Sequence, residues 1–114
     1  MINFFKMSDK AYKYCIYIKD SPEVRKLITD SFDACQYCYI IKDRPEIRKY
    51  ITESLWAYQY CRYVKDRPSV RKYITDSWSS YHYCRFIKDR HCIRKFITEE
   101  EHIKLYQYWK INND

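Results

Sequence analysis

The chain has 114 residues, a length that suits one compact domain, and a formal charge of +7. It contains no glycine, where an ordinary chain of this length carries about 8. That excludes Gly-rich phosphate loops, argues against tight β-hairpins, and favours helices joined by turns that need no positive φ. Fourteen tyrosines, five phenylalanines and three tryptophans supply bulk for a core, so 32% charged residues do not imply disorder. The charge excludes a DNA mimic and suits an acidic partner, without by itself identifying nucleic acid. The start, Met1-Ile2-Asn3-Phe4-Phe5-Lys6, has no secretory apolar region. No run of about 18 apolar residues is present to span a bilayer. A cytoplasmic location and no membrane partner are expected.

Lys-Asp pairs recur at Lys19-Asp20, Lys42-Asp43, Lys65-Asp66 and Lys88-Asp89, always 23 residues apart. A fixed period of this length is the signature of a repeat architecture. A partial unit, 1–20, is followed by full units 21–43, 44–66 and 67–89 and by a divergent capping unit, 90–114. Ile28, Ile51, Ile74 and Ile97 fall in one column, each followed by threonine. Tyr14, Tyr37, Tyr60, Tyr83 and Tyr106 form another, with Cys15, Cys38, Cys61 and Cys84 beside it.

Each unit reads as two short helices. The first begins at Pro22, Pro45 or Pro68, since proline at the first helical position loses only an N–H that has no partner there. Asp20, Asp43, Asp66 and Asp89 are its expected caps. Ile47, Tyr50 and Ile51 give it an apolar face, and it is expected to end near Thr52 after about two turns. Ser31, Ser54 and Ser77 are expected to cap the second helix. The inner face of that helix is Ala57, Tyr60, Cys61 and Val64, at i, i+3, i+4 and i+7, widened by Leu55, Tyr58 and Tyr63. Helices this short do not stand alone; stacking supplies the burial. In the last unit Glu99, Glu100 and Glu101 favour the helix start. Lys104, Gln107 and Lys110 give the polar outer face of a terminal cap, and Asn112-Asn113-Asp114 is expected to fray. The predicted fold is all-α: a single domain, 1–114, forming a short α-solenoid of about four and a half two-helix units.

Most of the repeated chemistry is that of packing. The cysteine column reads as small core hydrophobes. Cys35 and Cys38 have redox spacing, but Cys35 stands where other units carry Tyr12, Tyr58 and Tyr81, inside a helix. His82, Cys84, His91 and Cys92 span two helices of different units, unlike zinc pairs. The tyrosines fall in the inner stripe, so a core ladder is expected rather than a base-stacking one. Trp56, which replaces Asp33 or Ser79 of other units, is the expected exposed aromatic, with Trp109 second. Arg25, Arg48, Arg71 and Arg94, each followed by Lys26, Lys49, Lys72 or Lys95, are expected to make a basic stripe that Arg62 and Arg85 extend. Such a stripe can track a phosphate backbone, steer an acidic protein, or solvate the outer face while pairing with the repeated aspartates.

Lys42-Asp43-Arg44-Pro45-Glu46 and Tyr58-Gln59-Tyr60-Cys61-Arg62-Tyr63-Val64-Lys65-Asp66 resemble the tandem short helical repeats of uncharacterised bacteriophage and other viral proteins. Those alternate a Tyr-x-Tyr-Ala-Arg-x-Val helix with a Lys-x-Arg-x-Pro-Glu turn. The likeness covers nearly the whole chain, which departs from it in lacking the turn glycine and in carrying Cys for Ala. The resemblance implies a fold and a viral origin, and therefore host cytoplasm, but no site residues. Small viral proteins of this kind resemble accessory factors that obstruct host functions, including defence systems.

No catalytic constellation is present: there is no Gly-x-Ser-x-Gly, no phosphate loop, and no His–carboxylate pair outside the repeat register. The expected function is non-enzymatic binding of a host or viral protein with an acidic surface, without cofactor or metal. Nucleic-acid binding by the Arg/Lys stripe is the alternative. A further one is self-assembly into a homo-oligomer through the array ends, where Phe4 and Phe5 make the N-terminal end the stickier.

Overall fold

The computed structural model describes residues 4–113, with side chains from Met7 onward, so the expectation for Phe4 and Phe5 lies outside the described side chains. Its helices are α1 (Phe4–Tyr17), α2 (Pro22–Arg25), α3 (Ser31–Ile40), α4 (Pro45–Arg48), α5 (Ser54–Tyr63), α6 (Pro68–Arg71), α7 (Ser77–Phe86), α8 (His91–Arg94) and α9 (Glu100–Asn113). The described residues contain no strand. The long helices α1, α3, α5, α7 and α9 pack side by side in chain order, and α2, α4, α6 and α8 each lie against the long helix before them. The result is a two-layer array of 49 × 29 × 21 Å.

Every turn is made without a left-handed residue; among those described none has positive φ. α1, α3, α5 and α7 each end instead with one carbonyl accepting twice. Tyr60 O takes the N–H of Val64 at 2.8 Å and of Lys65 at 3.2 Å. That wide last turn is how a glycine-free chain leaves a helix.

The short helices are shorter than expected. They hold a single turn of four residues, continued by tighter bonds such as Tyr50 N–H to Ile47 O and Ile51 N–H to Arg48 O, both 3.0 Å. Their N-cap positions are Ser21, Arg44, Arg67 and Arg90, none with a capping side-chain hydrogen bond. The aspartates expected there stand one residue too early and are taken up by arginines. The serines expected as caps of the long helices are the first residues inside them. Asp30 and Asp76 cap instead, accepting from Asp33 N–H and Ser79 N–H.

Those serines have an inter-unit role. Ser31 Oγ accepts the N–H groups of Thr52 and Glu53 at 3.1 and 3.2 Å. Ser8, Ser54 and Ser77 do the same one unit on for Thr29 and Asp30, Thr75 and Asp76, and Thr98 and Glu99. Each hydroxyl satisfies backbone donors that precede the next long helix and so pins successive units in register.

The core follows the expected columns in the inner units, but the tyrosine ladder fails at its ends, where only one neighbour packs: Tyr14 is exposed and Tyr106 half-buried. Tyr37, Tyr60 and Tyr83 are fully buried, as are Ile28, Ile51 and Ile74, while Ala34, Ala57 and Ser80 leave room beside the tyrosines. The widening of the inner face is corrected: Tyr58 is buried, but Leu55 and Tyr63 are exposed. Relative to Ala57 they lie at about 160° and 240° at 3.6 residues per turn, outside the arc that meets the neighbours. In the capping unit, Lys104 and Gln107 are exposed as expected, but Lys110, expected beside them, is half-buried and turned onto Asp89. Asn112 and Asn113 belong to α9, and Asp114 lies outside the described residues.

Candidate binding faces

The chain's polar chemistry is concentrated first in an internal ladder. Asp43 Oδ1 accepts from Arg48 Nε at 2.9 Å, its Oδ2 accepts Tyr60 Oη–H at 2.8 Å, and Arg67 Nη2 lies 3.1 Å from that same oxygen. Arg67 Nε also donates to Tyr60 Oη at 2.8 Å. Asp20 gathers Arg25, Tyr37 and Arg44 in the same way, and Asp66 gathers Arg71, Tyr83 and Arg90. At the last station Asp89 holds Arg94 and Tyr106, and Lys110 takes the second cation's place at 3.1 Å. The first three stations each join a short helix, the following long helix and the next unit, and the last closes on α9.

Burial alone raises the Asp43 carboxyl. Hydrogen bonds from Arg48 and Tyr60, with the charge of Arg48, outweigh it and hold the carboxyl below its ordinary value. Asp20, Asp66 and Asp89 are lowered for the same reasons. Burial, then the adjoining Asp20 carboxylate, pushes the Tyr37 hydroxyl up to about 12. The tyrosines therefore stay neutral and donate to ionised aspartates.

This places the predicted basic stripe. Arg25, Arg48 and Arg71 are largely covered, with side chains 15%, 16% and 14% exposed, each bonded to its own aspartate. Arg94 is more open but equally paired with Asp89. The lysines that follow them remain outside: Lys26, Lys49, Lys72 and Lys95 are all exposed. Lys26 reaches Glu23 at 3.6 Å. Lys49, Lys72 and Lys95 hold their ammonium groups 5.2, 5.2 and 5.1 Å from the ring centres of Tyr50, Tyr73 and Phe96. Pro22, Lys26, Glu46, Lys49 and Tyr50 line a groove between α2 and α4. Pro68, Lys72, Cys92, Lys95 and Phe96 line its counterpart between α6 and α8.

The second face is carried by the long helices. At about 100° per residue, Phe32, Tyr39 and Ile40 on α3 point away from the Tyr37–Cys38 side that meets the short helices. On α5 and α7 the same columns are Leu55, Arg62 and Tyr63, then Trp78, Arg85 and Phe86, all exposed. These side chains touch from unit to unit. Phe32 meets Trp56 edge-on at 4.7 Å, and Tyr39 meets Tyr63 at 6.1 Å. The Arg62 guanidinium lies between Tyr63 and Phe86, 5.1 and 4.4 Å from their centres, and donates to Tyr58 Oη at 2.9 Å. Arg85 repeats the device on Phe86 and Tyr81. His82 stacks on Phe86 and lies 4.0 Å from Trp78; burial and then the charges of Arg85, His102 and Arg62 lower its pKa.

Arg62 and Arg85 are therefore part of this face and not of the lysine stripe. Trp56, expected to be exposed, is half-buried between α3 and α5. With Gln36, Tyr39, Gln59 and Tyr63 it lines a shallow groove there. Tyr63 was expected on the inner face, and Trp78 and Phe86 drew no expectation, because an aromatic residue in an amphipathic helix reads as core. Their offset from the Ala57–Tyr60–Cys61–Val64 stripe was the available signal. Arg44, Arg67 and Arg90 were not legible as ladder members either, although they recur every 23 residues after Ser21.

The thiols point away from redox use. Burial pushes Cys35, Cys38 and Cys61 up to about 12, whereas a reactive thiol needs a lowered pKa. The six cysteines are free, and Cys92 alone of them is exposed. Among the described residues no group of His, Cys, Asp and Glu is placed to hold a metal ion, and no helix is long and apolar enough to cross a membrane. Comparison with family models, with curated proteins and with solved structures finds no match for the chain.

Proposed function

We propose that the array is a non-enzymatic protein-binding module whose long-helix face takes a folded protein with an acidic surface. The observation that carries this reading is the row of exposed rings interleaved with Arg62 and Arg85. Tryptophan, tyrosine and arginine are the residues that dominate binding energy at interfaces. A contiguous exposed apolar patch is uncommon on a protein that binds nothing. The stacked guanidinium planes are held before a partner arrives, which lowers the ordering cost of binding. Their remaining edge N–H groups suit carboxylates, for which arginine is the planar, bidentate donor. The non-enzymatic reading is supported by the commitment of the interior polar groups to one another in the ladder. In the setting that the viral resemblance implies, the module covers a surface of a host protein and obstructs it.

The experiment is capture of the partner from the source cell with tagged protein, followed by titration of that purified partner. Arg62→Ala and Trp78→Ala each weaken the affinity at least about tenfold, the loss of one hot-spot residue, while Lys49→Gln leaves it within about twofold, as a rim charge does. Equal binding by the Arg62 and Trp78 variants refutes the reading.

A further inference from the structure

The repeat provides its own comparison, because each surface column is sampled once per unit. On the long-helix face the columns have diverged: Phe32, Leu55, Trp78 and Glu101 share one register position, and Tyr39, Arg62 and Arg85 another. The exposed column of Glu23, Glu46, Ser69 and Cys92 has diverged as well. The column of Lys26, Lys49, Lys72 and Lys95 has not, although all four are exposed, and neither has the exposed lysine column at the turns, Lys19, Lys42, Lys65 and Lys88.

Stability accounts for only part of that uniformity: Lys49, Lys72 and Lys95 gain a ring contact, but Lys26, with Leu27 beside it, is retained all the same. Exchange at an exposed surface position is usually worth within about 0.5 kcal/mol, and a lysine at a helix C-terminus adds about the same. What every unit retains outside the fold's needs matches something that recurs in the partner. Packed helices put such lysines about 8–10 Å apart, so the recurring feature is a negative charge at nearly regular spacing along a line. Few folded proteins offer exposed carboxylates that way, whereas every nucleic-acid backbone offers phosphates.

The rings beside the lysines narrow the class. Tyr50, Tyr73 and Phe96 are half-buried, each under its own lysine, and Tyr50 and Phe96 face the grooves between successive short helices. Lysines of neighbouring units share each groove: Lys26 with Lys49, and Lys72 with Lys95. From the second full unit onward one cation recurs with one ring, while Leu27 stands beside Lys26 in the first; such pairs are the arrangement that follows a single strand, with a phosphate on the cation and a base on the ring. Arg25 and Arg71 line the same grooves but hold Asp20 and Asp66, so the lysines make the new contacts. Glu46 faces the first groove where Cys92 faces the last, which makes the C-terminal half of the face the more positive. We propose that the short-helix face binds single-stranded nucleic acid, its backbone running along the lysine column. This surface is separate from the protein-binding face and does not depend on it.

Fluorescence polarisation with labelled oligothymidylate and oligouridylate of about 20 nucleotides tests this, starting near 50 mM salt, where phosphate contacts are strong. Saturable binding is expected, weakening steeply as salt rises. Lys72→Gln with Lys95→Gln lowers the logarithmic salt slope by about 1.4, which is 0.7 per lost phosphate contact. Phe96→Leu weakens binding at an unchanged slope, because a stacked base releases no counterion. Tyr63→Ser, on the other face, changes neither. Circular dichroism of each variant certifies the fold. No binding near 50 mM salt, an unaltered slope in the double lysine variant, tighter binding of a duplex of equal length, or equal competition by polyglutamate each overturns the proposal.

Discussion

Asp43 shows how far one residue can carry several elements at once. Its carboxylate takes two arginines and a tyrosine, with the Arg48 and Asp43 side chains only 16% and 18% exposed. A surface ion pair contributes about 0–1 kcal/mol, but leaving two guanidinium groups and a hydroxyl partly covered without their acceptor costs more. Asp43→Asn is expected to destabilise the protein by about 2–4 kcal/mol in urea unfolding at neutral pH. A loss under about 1 kcal/mol would place the station among ordinary surface pairs. The pH dependence follows from the lowered carboxyls of Asp20, Asp43, Asp66 and Asp89. A carboxylate held below its unfolded value stabilises the fold at pH above that value, about 3.9, and stops doing so as pH falls through its folded value. The wild type therefore loses stability below about pH 4, and the Asp43→Asn variant loses less over the same range because one station is already gone. The aspartate–arginine pairing was legible in part from the recurrence of both columns. The tyrosine hydroxyl and the second arginine were not, since 17 and 24 residues separate them from the aspartate.

At the scale of the element, the long helices are held to one another by a hydroxyl that sequence alone assigned to a cap. Serine before a helical run satisfies the helix's own first N–H groups in the usual pattern, and nothing local distinguishes that from a bond to the next unit. In the structure Ser31 is buried and accepts two N–H groups across the unit boundary. Ser31→Ala should cost about 1–3 kcal/mol, the expense of covering backbone donors without an acceptor. Hydrogen exchange should show Thr52 and Glu53, just ahead of α5, losing protection before α5 itself. Uniform loss along α5 would assign the effect to helix capping instead. The short helices illustrate a related limit. Ile47, Tyr50 and Ile51 have helical spacing, yet the α-helix stops at Arg48 and tighter bonds carry the chain to Ile51. Periodicity does not separate those two geometries over a few residues.

For the whole molecule, the regularity of both ladders makes units interchangeable. Removing residues 44–66 joins Asp43 to Arg67, restores an Asp–Tyr–Arg station with Tyr83 and Arg90, and sets Ser31 against Thr75 and Asp76. Each unit contacts its neighbours alone, so stability is a sum over units and their interfaces. The shortened protein is expected to fold, with the same helical circular dichroism per residue, and to melt at lower temperature in one transition. Loss of the helical signal would show that the array is not modular. The two surfaces respond differently to the same cut: the uniform lysine column is only shortened, whereas the irregular aromatic face loses Trp56 and Tyr63, whose positions the other units fill with other residues.

The period, the all-helical fold, the glycine-free turns and the buried tyrosine, cysteine and isoleucine columns were determined by the sequence, because burial between identical neighbours imposes the same apolar position on every unit. Which arginines are free was decided by the tertiary structure alone. Arg25, Arg48, Arg71 and Arg94 look like a surface stripe in one dimension and are the inner partners of a ladder in three. The outward direction of Tyr63, Trp78 and Phe86 was likewise settled only by packing, since a helix clamped between two others has its remaining open face set by where those neighbours sit.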